Sequence, residues 1–290
     1  TWEKTKTNIP FIISQMIGRK LDEAFPKRST IHWEATPILK VKNLSLENSL
    51  DNVNFEIRAG EVLGFAGLEG SGIRELFHIL FGLQKFTSGE ILYQGNKQDY
   101  SFSDQAIKAG WGLIPANRRD HGLIMRWTVK ENITLVILKR LLNAMKLIRR
   151  SAVDSVAADY IAKLRISAGS SDKIALDLSG GNQQKVVISK WLATNPRILL
   201  LDDPTRGIDV GAKSEIYNLI QDLSKQGLAI LFNSSEIDEV IGLSHRILVV
   251  RQGKIIKEFN HQEAEKSEVL RFVSGNFDYI EDRKFEKQNC

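Results

Sequence analysis

The sequence predicts an α/β fold with a mostly parallel sheet, an antiparallel β arm and an inserted helical lobe. A strand-like run, Glu61 to Ala66, passes straight into a glycine-rich loop and then a helical pattern, Glu75 to Leu80. Continuous apolar strands recur at Arg197 to Leu201 and Leu228 to Asn233, separated by a helix-like stretch, as in βαβ units with a buried parallel sheet. From Thr128 to Leu164 the apolar residues keep helical spacing instead, which marks the inserted lobe.

The remaining elements follow in order along the chain. Ile13, Met16, Ile17, Leu21 and Phe25 recur at helical spacing before the stop signal Pro26, so 1–26 reads as a helix and 27–36 as a polar linker. The main domain is expected over 37–275, and it opens with the alternating strand Ile38 to Leu46. A strand at Val53 to Ile57 and the turn Arg58 to Gly60 lead into the glycine-loop strand, and Glu90 to Gln94 with Gly95-Asn96 reads as a hairpin arm. Thr128 and Glu131 have the spacing of a capping box at the start of helical character, within a lobe expected at about 121–177. Helices are expected at Asn182 to Ala193 and around Ile216, Leu219, Ile220 and Leu223, the latter stopped by Gly227. A hairpin at Gln252-Gly253, a helix near Glu263 to Val273 and a charged tail over 276–290 complete the reading.

Composition narrows the class. With 290 residues and 42% hydrophobic side chains the chain can bury a full core. Its longest apolar runs, such as Ile198 to Leu201, fall far short of the roughly 20 residues of a membrane span, and no signal-peptide pattern follows Thr1. The single cysteine, Cys290, excludes an intramolecular disulfide and fits a reducing compartment. A net charge of +5 is spread without a block of one sign, which favours a solvated, mildly basic surface over a nucleic-acid partner.

Three motifs carry chemistry. Gly67-Leu-Glu-Gly70-Ser71-Gly72-Ile73-Arg74 fits the phosphate-loop frame G-x-x-x-x-G-K-[ST] as far as its second glycine. Its glycines can turn N–H groups toward phosphate oxygens, but Ile73 replaces the lysine that reaches the β and γ phosphates and Arg74 replaces the hydroxyl that holds Mg²⁺. Ile198-Leu-Leu-Leu-Asp202-Asp203 delivers an acid to the carboxyl end of a buried strand, where ligands collect in such sheets; Asp202 suits Mg²⁺ through water, and Asp203 stands where a water-polarising glutamate is expected. Ser179-Gly180-Gly181-Asn182-Gln183 opens a helix whose small residues permit close approach to a phosphate. His121 and His245 lie in polar turns without partners at ligand spacing and read as surface residues, while Trp111 and Trp191 read as packing residues.

LSGGNQQK from Leu178, followed after one helix by LLLDDPTRGIDVGAK over 199–213, resembles the signature, Walker B and D-loop of ABC ATPases in order and spacing. The forms GNQQK and PTRGIDVGAK are similar to the second half of the tandem ATPase subunits of ribose, galactose and xylose importers, and residues 16–26 are similar to the end of the first half. The resemblance implies a P-loop ABC ATPase core, ATP and Mg²⁺ as cofactors, and a place on the cytoplasmic face of the membrane. It implies a missing first half as partner, sugar permease subunits contacted through the helical lobe, and an external sugar-binding protein reached indirectly. In such stacked pairs Ser179 to Gln183 completes the ATP site of the other half, with Asp209 of the D-loop at the shared face. The Q-loop position falls on Ala116 and the switch-histidine position on Ser235, neither of which serves as a general base. No aromatic stands in Ser45 to Asn52, where adenine stacking is expected. The reading is thus a half with a degenerate site of its own. An inert scaffolding half, or a soluble ABC protein of translation or DNA repair, are the alternatives, the latter opposed by the absence of a long coiled-coil insertion.

Overall fold

A computed structural model describes residues 25–275; the tail at 276–290 and nearly all of the helix expected over 1–26 lie outside the described residues. Two compact units are formed. One comprises residues 31–116, 196–204 and 227–275 of the described chain, the other 25–30, 117–195 and 205–226.

The first unit contains two sheets. Strands β1 (Leu39–Leu46), β2 (Leu50–Ile57), β4 (Ser88–Tyr93) and β5 (Asn96–Gln98) form an antiparallel sheet in the order β2-β1-β4-β5. Strands β3 (Val62–Ala66), β6 (Trp111–Ile114), β7 (Ile198–Asp202), β8 (Ala229–Asn233), β9 (Arg246–Arg251) and β10 (Lys254–Asn260) form the second, in the order β10-β9-β3-β8-β7-β6. Pairing is parallel from β9 through β6, and only the edge strand β10 runs antiparallel. β3 and β7 are buried at every position, as continuous apolar runs require in a parallel sheet.

The turns explain the register. Gln94-Gly95 and Gln252-Gly253 both hold two consecutive residues at positive φ, the backbone of a tight two-residue hairpin whose twist matches its strands. The first turn therefore falls one residue before the expected Gly95-Asn96, and β2 begins at Leu50, three residues before the expected start. Helix α1 (Ile73–Leu80) follows the glycine loop, with Leu76, Phe77, Ile79 and Leu80 buried. Three elements had no clear periodic signal because they are short: α2 (Ser103–Lys108), β6, and α7 (Ile237–Leu243). The last helix, here α8 (Lys266–Ser274), is capped by Gly275 in the left-handed region.

In the second unit α3 (Val129–Thr134) begins at the expected capping box: Thr128 Oγ1 accepts from the Glu131 amide, and Glu131 Oε2 accepts from that of Thr128. The bonds that its carboxylate accepts from the Thr128 amide and hydroxyl hold the Glu131 carboxyl below its ordinary range. The chain then tightens to a 3₁₀ segment, Leu135–Leu141, before α4 (Arg150–Lys163), α5 (Gly180–Leu192) and α6 (Val210–Lys225). Ile137, Leu141 and Val153 form a small apolar cluster with Ala152, Val156 and Ala193 around it. The unit thus holds the expected lobe together with the α5 and α6 helices.

At the amino end of β3 one buried charge organises the first unit. Glu61 is fully buried and receives Nε of Arg246 at 2.8 Å, while Arg246 Nη2 donates to the Glu56 carbonyl and Nη1 to Glu258. Trp33, from the segment expected as linker, lies 5.6 Å from the Arg246 guanidinium in cation–π geometry. Burial raises the Glu61 pKa, opposed by Arg246. Removing the cation strands a buried carboxylate. Arg246→Ala is expected to lose about 3–5 kcal/mol in urea denaturation, whereas Glu258→Ala, whose side chain is largely solvated, loses under about 1 kcal/mol.

Candidate functional site

Parallel pairing places the carboxyl ends of β3, β8, β7 and β6 along one edge of the sheet. Phe65 and Asp202 both lie in register with Asn233, and Ile114 with Leu201. The glycine loop, Asp202-Asp203, Ser234-Ser235 and Pro115-Ala116 all emerge there. Four of the residue groups separated in sequence are therefore neighbours for a topological reason.

The glycine loop has the shape of a phosphate cradle. Gly70 and Gly72 adopt φ of 80° and 103°, which side-chain-bearing residues rarely hold, and Gly72 caps α1 without any side-chain bond to the helix amides. The first-turn amides and the positive end of the helix therefore face an unfilled position. No atom lies within 4 Å of where a Cβ on Gly70 would stand, while Ser71 is buried beneath the loop and a Cβ on Gly67 would fall 2.6 Å from its Oγ. These features fit an anionic phosphate chain. Ile73, at the lysine position, is buried in the core, 4% exposed, and offers nothing to a ligand.

Arg74 does not extend away from the site. Its Nε lies 3.7 Å from Asp202 Oδ2, and Asn233 Nδ2 donates to the other carboxylate oxygen at 2.8 Å. Burial raises the Asp202 pKa, with Asn233 and then Arg74 opposing it. Asp202, expected to take Mg²⁺ through water, thus has Arg74 beside one carboxylate oxygen and Asn233 bonded to the other. Ala116 contributes a methyl group, and among the described residues no group of three His, Cys, Asp or Glu side chains is arranged to hold a metal ion. The residues present do not fit Mg²⁺.

Asp203 is also occupied. It stands at φ 49°, and its Oδ1 accepts from the Ser235 amide at 3.3 Å and the Ser235 hydroxyl at 3.2 Å. Ser234 bridges this region to buried Glu239, donating its hydroxyl at 2.7 Å. The two degenerate catalytic positions, Asp203 and Ser235, bond to each other.

Beside Gly70 lies an open cleft formed by 45–51 with Thr87, Gln252 and Gly253, and its lining contains no aromatic ring. The β1–β2 turn reaches the loop itself: a Cβ on Gly72 would stand 2.6 Å from the Ser49 carbonyl oxygen.

In the second unit, Ser179 is exposed at the N-cap of α5 and its Oγ accepts from Asn182 at 2.9 Å. Gly180 and Gly181 lead the helix, and a Cβ on Gly181 would fall 2.6 Å from Cβ of Ala212, so α5 can meet α6 here only without a side chain. Gln183 is fully buried, its amide donating to the Ala175 carbonyl. Asp209 caps α6 by accepting from the Ala212 amide. The residue that joins these parts carries no local signal in the sequence. Arg118, in a π-helical turn at Arg118–Gly122, donates to Gln183 Oε1 and to the carbonyls of Arg206 and Gly207. In the sequence it is half of an Arg-Arg pair with no motif around it.

His121 is exposed, as expected, but His245 is buried at 4% exposure and accepts the Val62 amide on Nδ1. The polar turn containing it closes onto the end of β3. Trp111 is fully buried against Tyr93 and Tyr100, and Trp191 is buried as well, which agrees with packing roles.

A family model described as ABC transporter matches residues 50–206. The chain is 40% identical over 275 residues to a ribose import ATP-binding protein of Oceanobacillus iheyensis, covering 95% of this chain and 55% of that protein. A xylose import ATP-binding protein of Moorella thermoacetica is 43% identical over 283 residues, covering 95% and 55%. The chain spans about half the length of the curated relatives it matches. The ADP conformation of an ATP-binding cassette of an ABC transporter superposes with TM-score 0.68 at 22% identity, over 83% of this chain and 96% of that one. A dimeric post-hydrolysis cassette bound to ADP and Pi gives TM-score 0.67 at 26% identity, over 77% and 98%.

The Arg118 contacts make a direct prediction. Arg118→Ala should cost about 1–3 kcal/mol and speed amide hydrogen exchange at the first turns of α5 and α6, while α4 keeps its protection.

Proposed function

The chain belongs to the ABC transporter family, with the fold of its ATP-binding cassettes, and on this premise we propose that it is the second ATP-binding half of a sugar importer's tandem ATPase. Its relatives carry ribose and xylose import in their names, which supports a sugar as the cargo moved by its partners. The observation that carries the proposal is an asymmetry. The signature presents an exposed Ser179 with half-buried Gly180 and Asn182, braced from within by buried Gln183 and by Arg118, while the catalytic positions at the sheet edge are bonded to their neighbours.

In this reading the chain serves a partner's ATP more than its own. Ser179, Gly180, Gly181, Asn182 and Gln183 complete the site of a first ATPase half, through small residues and helix amides that approach phosphate closely. Asp209 lies at the shared face. Gly67, Gly70, Ser71 and Gly72 hold the phosphates of a nucleotide at this chain's own site, where Asp203 and Ser235 provide no effective general base and turnover is minimal. The helical lobe meets permease subunits on the cytoplasmic face of the membrane, and a sugar-binding protein acts from the other side. Among the described residues no helix is long and apolar enough to cross a membrane, which agrees with a peripheral attachment.

Ser179→Arg in the assembled transporter places a bulky cation in the signature without touching the glycine loop. ATPase activity is expected to fall by about 10²-fold or more, the scale of losing a phosphate-charge contact. Undiminished activity would show that this signature completes no working site. Asp203→Glu, in contrast, is expected to leave activity within about twofold, because lengthening one acid does not restore the lysine position.

A further inference from the structure

Mg²⁺ at a phosphate loop performs two tasks: it supplies positive charge beside the β and γ phosphates, and it is held by a hydroxyl at the end of the loop and by an acid at the end of the neighbouring strand. Here the hydroxyl position is Arg74 and the acid is Asp202, and the two are paired with Nε 3.7 Å from Oδ2. The pair spans the gap that a metal ion ordinarily bridges. We propose that the Arg74 guanidinium takes the place of the metal, so that this chain's own site binds a nucleoside di- or triphosphate free of any divalent cation.

The geometry favours this on three counts. Arg74 is the second residue of α1, so its side chain starts beside the amides that face the phosphate position, and it is half-exposed with donors to spare for phosphate oxygens. Asp202 is almost wholly buried and bonded on its other oxygen by Asn233, which fixes the carboxylate that the half-exposed guanidinium faces. A divalent cation needs near-octahedral oxygen ligands at about 2.0–2.1 Å. Ile73, Arg74 and Ala116 offer it no side-chain oxygen, and a guanidinium at that distance repels it. An arginine in this position is therefore a permanent cation that does not dissociate, and it polarises no bound water toward attack. Loss of the metal and loss of hydrolysis become one structural change.

The inference rests on the nucleotide-binding reading of the loop, and the test separates the two. The full chain is titrated with ATP by calorimetry, once in excess EDTA and once in excess Mg²⁺, alongside the Arg74→Ser variant. The expected result is equal or tighter binding in EDTA for the unsubstituted chain, about tenfold weaker binding in EDTA for Arg74→Ser, and partial recovery of that variant by Mg²⁺. As a second readout, Mn²⁺ added with ATP is expected to show no protein-bound electron paramagnetic resonance signal in the unsubstituted chain and to show one in Arg74→Ser. Binding that requires Mg²⁺, or a protein-bound Mn²⁺ signal in the unsubstituted chain, overturns the assignment of Arg74 and leaves the nucleotide site standing. No binding in either condition overturns both.

Discussion

Parallel hydrogen bonding among β3, β8, β7 and β6 is the constraint on which the site depends. Parallel strands need crossover connections, so all four chain segments leave the sheet in the same direction and their loops collect on one edge. The register then decides which residues meet. Asp202 lies opposite Asn233 and within reach of Arg74, and Asp203 opposite the start of the Ser234-Ser235 turn. A slip of one residue in β7 would turn Asp202 to the other face and dissolve every one of these pairs. At the other end of β3, the buried Glu61 and Arg246 tie β3 to β9 and β2, which gives the parallel core a fixed footing.

The polar groups on the functional edge are satisfied from within the protein. Buried carboxylates need partners, and at this edge the partners are an arginine, an asparagine and two serines. An active hydrolytic site leaves such groups free to bond substrate, water and metal. Asp202 has a neighbour on each oxygen and Asp203 is held on Oδ1, while the amides at the start of α1 have no side-chain cap and the space around Gly70 is open. The second unit has the opposite character, since buried Gln183 and half-buried Arg118 brace the start of the helix that carries exposed Ser179.

The α/β class, the parallel core strands, the capping box at Thr128 and the three motifs were legible because each depends on local patterning: apolar runs, cap spacing and glycine placement. Short elements were not. The β6 strand has four residues and α2 six, too few for a period to emerge, and the Gln252-Gly253 hairpin was readable only because its turn chemistry is local. Arg118 and His245 escaped for a different reason. Their roles depend on residues 65 to 183 positions away, and nothing in the neighbouring sequence distinguishes a buried, bridging side chain from a solvated one. The Arg74–Asp202 pair spans 128 positions and was equally hidden, though both members had been singled out for other reasons.

The close approach of the β1–β2 turn to the glycine loop has a consequence for how such loops change over time. A Cβ on Gly72 would strike the Ser49 carbonyl, and one on Gly253 would stand 2.5 Å from the same oxygen. Gly253 also donates its amide to Ser71 and its carbonyl accepts from Asp51, so three turns are locked together by backbone alone. Gly72 of the cradle is thus demanded by steric fit with a neighbouring hairpin, whatever the loop binds. The side chain that follows Gly72 is under no such demand from the hairpin, so a loop of this build can change that residue and keep its outline.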